Sequence, residues 1–319
     1  MNEESQTPMD EQAPYNNLGP DAVLDAIESV GYRCSGHQLA LNSYENRVYQ
    51  IGLEDGAFLV AKFYRPQRWS EAQILEEHHF SLELQEADIS VVAPLVDDHG
   101  NTLHCFQGFQ FALFPRRGGY PPELDNLDNL LILGRTVGRI HAVGRAASFS
   151  ERQQITVDRM LTRNREFLLE GFIPRELIPA YESLTLDLLQ TVESIYSDVQ
   201  SQDLIRVHGD CHVGNILWRD DTAHFVDLDD SCTAPAIQDL WMFLNGERHD
   251  RQLQLSELIE GYSEFCDFDP RQIRWIEALR TMRLIHYAAW LARRWEDPAF
   301  PRSFTWFNTE RYWADHILE

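Results

Sequence analysis

A β-rich segment between Leu204 and Asp230 interrupts a part of the chain that otherwise has the apolar spacing of helices. Three short apolar runs lie in this segment, and polar residues stand at the turns that separate them. Asp210 follows the first run, Asn215 precedes the second, and Asp227 follows the third. Any fold for this chain must therefore hold a small sheet, with polar groups at its turns, inside a mainly helical region.

The spacing of Asp210, Asn215 and Asp227 fits the transfer of a phosphoryl group from ATP. That reaction needs a carboxylate that orients the attacking hydroxyl and accepts its proton. It also needs oxygen ligands that hold Mg²⁺ across the β- and γ-phosphates. Each of the three residues alone is a common turn former, but their joint occurrence favours the catalytic interpretation.

The first third of the chain predicts a small α+β lobe. Residues 1–20 contain three prolines and few apolar side chains, which predicts a flexible N-terminal tail. An amphipathic helix is predicted over 21–31. Strand-like alternation is predicted from Leu39 onward, with a turn at 54–56 and the next strand over 57–64. A helix over 69–87 and strands over 101–106 and 109–114 follow. We therefore assign residues 21–114 to an N-terminal ATP-binding lobe.

Residues 115–319 predict a larger lobe that carries the catalytic and substrate-binding residues. After a linker-like stretch at 115–119, helical spacing covers 127–145, 151–169, 174–199, 235–246, 251–265 and 270–295. The predicted fold class is α+β and bilobal, with a small antiparallel-sheet N-lobe and a larger, mainly helical C-lobe.

The run HGDCHVGN at 208–215, followed by Asp227 at the end of a short strand, resembles the HGDxHxGN motif of the aminoglycoside phosphotransferase and choline kinase superfamily. This superfamily is related to the protein kinases, and the resemblance covers most of the chain. It implies a protein-kinase-like fold with ATP as co-substrate. It also implies that Asp210 is the catalytic base and that Asn215 and Asp227 are Mg²⁺ ligands. Asp227 would take part in catalysis as such a ligand.

The same resemblance implies a lysine that binds the ATP phosphates. The run at 59–64 looks like the strand that carries it, so Lys62 is the candidate, although a lone lysine on a strand is more often a solvated edge charge. Glu77 on the following helix is its expected partner by register, with Glu76 as the alternative. Such a pair would orient the ammonium group toward the α- and β-phosphates.

Further nucleotide contacts are expected in the same lobe. Ser43 and nearby backbone amides would contact phosphate, but their hairpin at 42–49 contains none of the glycines of the protein-kinase phosphate loop, so it should be stiffer. The backbone from Phe111 to Leu113 would bind adenine. Asp239 matches the superfamily's helix-opening aspartate, which braces the catalytic loop through its backbone.

Three stretches together look like the bacterial stress response kinase A family: 41–51, 60–78 and 208–242. This resemblance implies a Ser/Thr protein kinase of the stress response that acts on a protein substrate, for which the chain itself is one candidate. The residues alone leave two alternatives open. One is a small-molecule hydroxyl kinase with a choline-, homoserine- or aminoglycoside-like acceptor, and the other is a non-catalytic nucleotide-binding regulator.

Charge and cysteine usage narrow the partners. The chain has 51 Asp and Glu residues against 27 Lys and Arg, a formal net charge of -24. Such a surface repels phosphate, which argues against nucleic acid and anionic membranes as partners but suits a cationic small substrate. Five scattered cysteines without a CxxC pair and a polar N-terminus favour a cytoplasmic protein, which we expect to be a monomer.

Overall fold

The computed structural model describes residues 14–319, which form two compact units. The smaller unit contains the chain up to Glu71 together with Pro94–Arg116 and Arg293–Phe307. The larger unit contains Ala72–Ala93, Arg117–Ala292 and Asn308–Glu319. The predicted lobes, 21–114 and 115–319, differ from these units because each predicted lobe is one continuous stretch of chain.

A five-stranded antiparallel sheet with strand order β1-β2-β3-β5-β4 forms most of the smaller unit. The strands are β1 (Cys34–Ala40), β2 (Arg47–Leu53), β3 (Phe58–Phe63), β4 (His104–Phe106) and β5 (Phe109–Pro115). The hairpin predicted between β2 and β3 is confirmed, with Arg47 opposite Phe63 and Gly52 opposite Phe58. β1 starts five residues before the predicted alternation at Leu39, because most of its side chains are exposed and give no apolar pattern.

Helix α1 (Pro20–Ser29) belongs to the same unit and buries its predicted apolar face, including Val23 and Ile27. Residues 1–13 of the predicted tail lie outside the described residues. Within the rest of that stretch, Tyr15 and Leu18 are buried in the core of this unit. The predicted tail is therefore too long, since these two side chains gain by leaving water.

The larger unit is mainly helical and holds a small β-rich region. Its helices are α2 (Glu71–Glu86), α3 (Leu127–Gly144), α4 (Arg163–Gly171), α5 (Ile178–Tyr196), α6 (Ile237–Trp241), α7 (Arg248–Ser263), α8 (Ile276–Arg293) and α10 (Glu310–Leu318). The short helix α9 (Ala299–Ser303) belongs to the smaller unit. Its strands pair antiparallel, β6 (Leu204–Val207) with β9 (Cys232–Pro235) and β7 (Ile216–Arg219) with β8 (Thr222–Phe225). Within residues 14–319, no helix has the length and apolar character needed to cross a membrane. The predicted α+β fold class is confirmed.

Two predicted helices are wrong at their N-terminal ends. The helix predicted over 151–169 begins only with a π-helical turn at Asp158, and the chain before it is extended. There Ile155 donates its amide to the carbonyl of Thr233, and Thr233 donates to the carbonyl of Gln153. Residues 232–235 pair antiparallel with β6 as strand β9, so the helix predicted from 235 is reduced to α6. These backbone partners are distant in sequence, and apolar spacing does not reveal them.

Candidate active site

The loop after β6 that carries Asp210 is held by side chains of α6. Asp239 is 1% exposed, and its carboxylate accepts hydrogen bonds from the amides of His208 (2.8 Å) and Gly209 (2.9 Å). Gln238 donates its side-chain amide to the carbonyl of Gly209 at 3.0 Å. The expected bracing of the catalytic loop by Asp239 is therefore confirmed.

Gly209 is required at its position for two reasons. Its φ is +84°, in the left-handed region that favours glycine. A Cβ at this position would also lie 2.2 Å from the carbonyl oxygen of Asp230. The loop and the turn after β8 therefore pack together only because a glycine precedes Asp210.

The charge of Asp239 is stabilised by α3. Nε2 of His141 lies 2.9 Å from Oδ2 of Asp239, so in this contact the ring donates to the carboxylate. Burial alone raises the pKa of Asp239, but the hydrogen bond and charge of His141 and the amide of Gly209 bring that pKa below its usual value. Asp239 is thus an ionised anchor for the loop.

Asp210 is partly buried and is contacted by two basic side chains. Nη2 of Arg283, on α8, lies 2.6 Å from Oδ1, and Nε2 of His212 lies 3.4 Å from Oδ2. Burial raises the pKa of Asp210, but the hydrogen bond from His212 and the charge of Arg283 outweigh it and hold the pKa below its usual value. Asp210 is therefore ionised, and its carboxylate can accept a hydrogen bond from a substrate hydroxyl.

Asn215 is oriented by Asp210. Its side-chain nitrogen donates to the backbone carbonyl of Asp210 at 2.9 Å, which leaves its side-chain oxygen as the group available to a cation. Its own carbonyl accepts from the amide of Val226 at 2.9 Å. Because Val226 directly precedes Asp227, this bond ties the two predicted metal ligands to each other.

Asp227 lies at the sharp turn after β8. Its backbone has φ 57° and ψ 64°, a left-handed conformation in which aspartate is enriched among residues other than glycine. Its side chain is exposed, and a short 3₁₀ turn, Leu228–Asp230, follows it. The carboxylate is therefore at the surface beside the loop that carries Asp210 and Asn215.

The donors present fit a metal ion that is shared with a nucleotide. Asn215 and Asp227 offer an amide oxygen and a carboxylate, the hard oxygen ligands that Mg²⁺ prefers. In the part of the chain that the structure describes, no group of three or more His, Cys, Asp or Glu residues is arranged to hold a metal. Mg²⁺ commonly takes one or two protein ligands and completes its shell with phosphates and water, so this incomplete set suits a nucleotide-bound ion.

Lys62 lies on a central strand of the smaller unit. β3 runs between β2 and β5, so Lys62 is opposite both Val48 and Ala112, and it is only 6% exposed. Its Nζ lies 5.1 Å from the centre of the ring of Tyr64, the residue just after β3, in a cation–π contact. The alternative of a solvated edge charge is therefore wrong for this lysine.

Glu76 and Glu77, adjacent on α2, have different surroundings. The Glu76 carboxylate accepts four hydrogen bonds, from the amide and hydroxyl of Ser150 and from the amides of Glu151 and Arg152, at 2.6–3.0 Å. Burial raises the pKa of Glu76, but these bonds outweigh it and lower the pKa. Glu77 is 2% exposed. Because Glu76 is committed to residues 150–152, Glu77 remains the candidate partner of Lys62, and their pairing stays a prediction.

Ser43 lies, partly exposed, in the loop between β1 and β2. The next residues of this loop are held firmly: the carboxylate of Glu45 lies 2.7 Å from Nε of Arg294 and 3.5 Å from Nε of Arg65. The ring of Tyr44 lies 4.6 Å from that of Phe304. These contacts agree with a stiff loop, whereas contact between Ser43 and phosphate stays a prediction.

Phe111 and Leu113 lie within β5 and are 0% and 2% exposed. Phe111 stacks on Phe63 with ring centres 5.2 Å apart, and Leu113 accepts a hydrogen bond at its carbonyl from Leu95. Both side chains belong to the core of the smaller unit. The predicted adenine contact is therefore restricted to their backbone, and it stays a prediction.

Sequence reasoning missed three arginines that contact these groups: Arg283 beside Asp210, Arg294 beside Glu45, and Arg152 in the segment that Glu76 holds. Arg283 is 73 residues from Asp210, and Arg294 is 249 residues from Glu45. No motif joins positions this far apart, so only the folded chain identifies them.

Comparisons with known proteins identify the family of this chain. The model of a family described as the phosphotransferase enzyme family matches residues 37–276. The chain therefore belongs to this class of phosphotransferases. Its sequence also matches one group of kinases over nearly the whole chain. It is 46% identical over 300 residues to stress response kinase A of Escherichia coli (strain K12), a match that covers 94% of this chain and 90% of the relative. It is 45% identical over 301 residues, with the same coverage, to the serine/threonine protein kinase RdoA of Salmonella typhimurium (strain LT2). The chain is a member of the stress response kinase A family.

Solved structures support the fold. An amicoumacin kinase in complex with AMP-PNP, Ca²⁺ and its substrate matches with a TM-score of 0.73 at 20% identity, over 86% of each chain. A microcompartment-associated aminopropanol kinase matches with a TM-score of 0.68 at 17% identity, over 94% of this chain and 99% of the other. At these identities the likeness establishes the kinase-like fold and does not identify the acceptor.

Proposed function

We propose that this chain is a Ser/Thr protein kinase of the bacterial stress response, which transfers the γ-phosphoryl group of ATP directly to a protein hydroxyl. The observation that carries the proposal is 45–46% identity, over 94% of this chain and 90% of the relatives, to proteins named stress response kinase A and serine/threonine protein kinase RdoA. Phosphotransferase activity follows from the family, and the protein acceptor is the step that we add.

In the proposed reaction Asp210 orients the acceptor hydroxyl and receives its proton as the γ-phosphoryl group is transferred in line. Its lowered pKa supports this role, because only an ionised carboxylate can take up the proton of the hydroxyl. The hydrogen bonds that the amides of His208 and Gly209 donate to Asp239 hold the loop that carries Asp210 in place. Asp210 thus contributes mainly by positioning the nucleophile.

We assign the ATP phosphates to Lys62, which Glu77 orients, and to Ser43 with the amides of its loop. Burial of Lys62 on a central strand supports this assignment, since a charge that is 6% exposed needs an anionic partner or ligand. Adenine would be bound by the backbone between Phe111 and Leu113.

We assign a divalent metal, Mg²⁺, to Asn215 and Asp227. The complex of the amicoumacin kinase with AMP-PNP and Ca²⁺ supports the use of a nucleotide with a divalent cation in this fold. When bound, the ion would offset the negative charge that develops on the phosphate oxygens. The orientation of the Asn215 amide by Asp210 keeps its oxygen free for this role.

The surroundings of Asp210 bear on the choice between a protein acceptor and a small cationic one. Arg283 places a guanidinium group 2.6 Å from the proposed base. An amino alcohol or an aminoglycoside would bring its own positive charge close to this group, and like charges at short distance disfavour binding. This argues for an acceptor whose reacting hydroxyl has no neighbouring amine. Cytoplasmic location and a monomeric state remain predictions from the sequence.

The test is transfer of labelled γ-phosphate from ATP with Mg²⁺ by the wild type and by Asp210→Ala. Asp158→Ala, which removes an exposed acid of the same unit, is the matched control. Acceptors are the chain itself, a generic protein and a panel of amino alcohols and aminoglycosides. We expect label on protein with the wild type and the control, and none with Asp210→Ala. Label confined to a small molecule would refute the protein acceptor, and turnover by Asp210→Ala would refute the role of Asp210.

A further inference from the structure

Arg152 reaches the turn that follows Asp227 from a distant part of the larger unit. Arg152 is only 6% exposed. Nε donates to the carbonyl of Ser231 at 2.9 Å, and Nη2 donates to the carbonyl of Asp229 through a short hydrogen bond. A buried guanidinium group thus binds two carbonyls just beyond the proposed metal ligand, and hydrogen bonds from a charged donor are among the stronger ones.

Arg152 is itself held by α2. Its amide donates to Oε2 of Glu76 at 2.7 Å, beside the bonds that Glu76 receives from Ser150 and Glu151. Nη1 adds a longer contact of 3.4 Å to the carbonyl of Gln73, also on α2. Helix α2, residues 150–152 and the turn at 229–231 are therefore connected in series.

We infer that Arg152 is a positioning residue for phosphoryl transfer, and that Glu76 and Arg152 form a bridge from α2 to the metal-binding turn. The inference rests on the proposed role of Asp227 as a metal ligand. Asp227 has a left-handed backbone, a conformation that persists only where the surrounding structure supports it. The two carbonyls that Arg152 binds belong to the second and fourth residues after Asp227, so the bridge supplies that support.

The experiment measures the Mg²⁺ concentration for half-maximal phosphate transfer at saturating ATP. The variants are Arg152→Ala, Arg152→Lys, Glu76→Gln and the double variant Arg152→Ala/Glu76→Gln. Arg139→Ala is the matched control, because Arg139 also donates to two carbonyls, of Ala87 and Asp88, at the far end of α2. Binding of a fluorescent ATP analogue without metal is measured in parallel.

We expect Arg152→Ala to raise the half-maximal Mg²⁺ concentration about tenfold or more, the usual scale for a group that orients a metal ligand. Arg152→Lys should lie between it and the wild type. The double variant should be no worse than Arg152→Ala, since both changes break one bridge. Metal-free nucleotide affinity and the Arg139→Ala control should stay unchanged. If Arg152→Ala does not fold, Arg152→Lys and Glu76→Gln decide the matter by the same readout.

An unchanged Mg²⁺ dependence in Arg152→Lys and Glu76→Gln, or strictly additive effects in the double variant, would overturn the bridge. Asp227→Ala distinguishes this failure from failure of the proposed function. If Asp227→Ala alters the Mg²⁺ dependence and the bridge variants do not, the bridge is wrong and the metal site stands. If Asp227→Ala leaves the dependence unaltered, the metal assignment is wrong and the bridge falls with it.

Discussion

The carboxylate of Asp210 has a basic side chain on each oxygen, Arg283 on Oδ1 and His212 on Oδ2. A general base that must meet a hydroxyl in one orientation gains from such fixed partners, because catalysis depends on geometry within a fraction of an ångström. Arg283 is 35% exposed and reaches Asp210 from α8. Its contribution is therefore orientation, together with a lowered pKa.

Arg283→Ala should lower kcat about tenfold while leaving the KM for ATP unchanged, since Asp210 loses the partner that orients it but no proposed nucleotide contact is removed. Steady-state kinetics with varied ATP measure both constants. Arg280→Ala is the control, because Arg280 lies one turn earlier on α8 and contacts Glu277 and Glu319 instead. A kcat equal to that of the wild type would show that Asp210 needs no help from Arg283.

Asp227→Ala should weaken binding of the Mg²⁺–nucleotide complex by about tenfold or more, while metal-free nucleotide binding changes little. The reason is that a carboxylate ligand of the ion is lost and the nucleotide contacts remain. Titration of a fluorescent ATP analogue with and without Mg²⁺ measures the difference. Asp221→Ala, an exposed acid of the β7–β8 turn, is the control. Equal affinities for wild type and Asp227→Ala in Mg²⁺ would contradict the assignment.

At the scale of residues, the sequence predicted the site residues that lie in one motif and missed those that come from distant parts of the chain. Asp210, Asn215 and Asp227 lie within 18 residues, so the motif identifies them together. Asp239 was expected because the resemblance extends past the motif. Arg152 and Arg283 act on backbone carbonyls and on a carboxylate from distant elements, and such contacts leave no local pattern.

At the scale of elements, the loop between β1 and β2 is held from the C-terminal part of the smaller unit. Glu45 in this loop forms ion pairs with Arg294, which directly follows α8, and with Arg65. Arg65 also contacts Asp297 at 3.0 Å. Four charged side chains, two of them buried and two partly buried, thus join the loop to residues 294–297. A loop without glycines that is held in this way has little freedom, so its conformation is set before nucleotide binds.

Arg294→Ala should raise the KM for ATP several-fold with little change in kcat. The loop that carries Ser43 becomes less ordered, and binding must then restore that order. Glu45→Gln should give the same effect, and Arg302→Ala, an exposed arginine of the same segment, should give none. Thermal unfolding of each variant checks that the fold is intact, since breaking a buried ion pair is itself destabilising. An unchanged KM would mean that this loop does not limit nucleotide binding.

Helix α10 carries a partly buried histidine, His316, whose charge state couples its packing to pH. The ring of His316 stacks between those of Tyr181 and Tyr312, at 6.0 and 5.7 Å, and burial lowers its pKa to about 4 from 6.5. Between these two values the unfolded chain binds a proton that the folded chain does not. The free energy of unfolding therefore falls as pH drops from 6.5 toward 4, by about 3 kcal/mol for this group.

Replacement of this residue, His316→Phe, should remove that part of the pH dependence. Urea unfolding of both proteins at pH 7 and pH 5 measures it, and the difference between the two proteins cancels the contribution of other titrating groups. We expect the wild type to lose more stability than His316→Phe on going from pH 7 to pH 5. Equal losses would show that His316 takes up its proton without disturbing the fold.

For the whole molecule, local patterns in the sequence predicted the fold class but not the composition of its units. Residues 72–93, which hold most of α2, were predicted in the N-terminal lobe but lie in the larger unit. Residues 293–307 were predicted in the C-terminal lobe but lie in the smaller unit. Apolar periodicity records which face of an element is buried, but it does not record which unit buries it. The fold class was predictable because the antiparallel hairpins and long helices are local, and the distribution of segments between units was not.

The formal charge of -24 is a property of the whole chain, and it acts on every anionic ligand that approaches. The Mg²⁺–ATP complex is itself negative, so the field of the protein opposes its binding, while Lys62 in its proposed role would attract it locally. Salt weakens the long-range repulsion more than the local contact, because the Debye screening length falls from about 30 Å at 0.01 M to about 8 Å at 0.15 M ionic strength. We expect the KM for ATP to fall severalfold as NaCl rises over this range at constant free Mg²⁺. A KM that rises with salt would mean that the local cations dominate the field at the binding site despite the net charge of the chain.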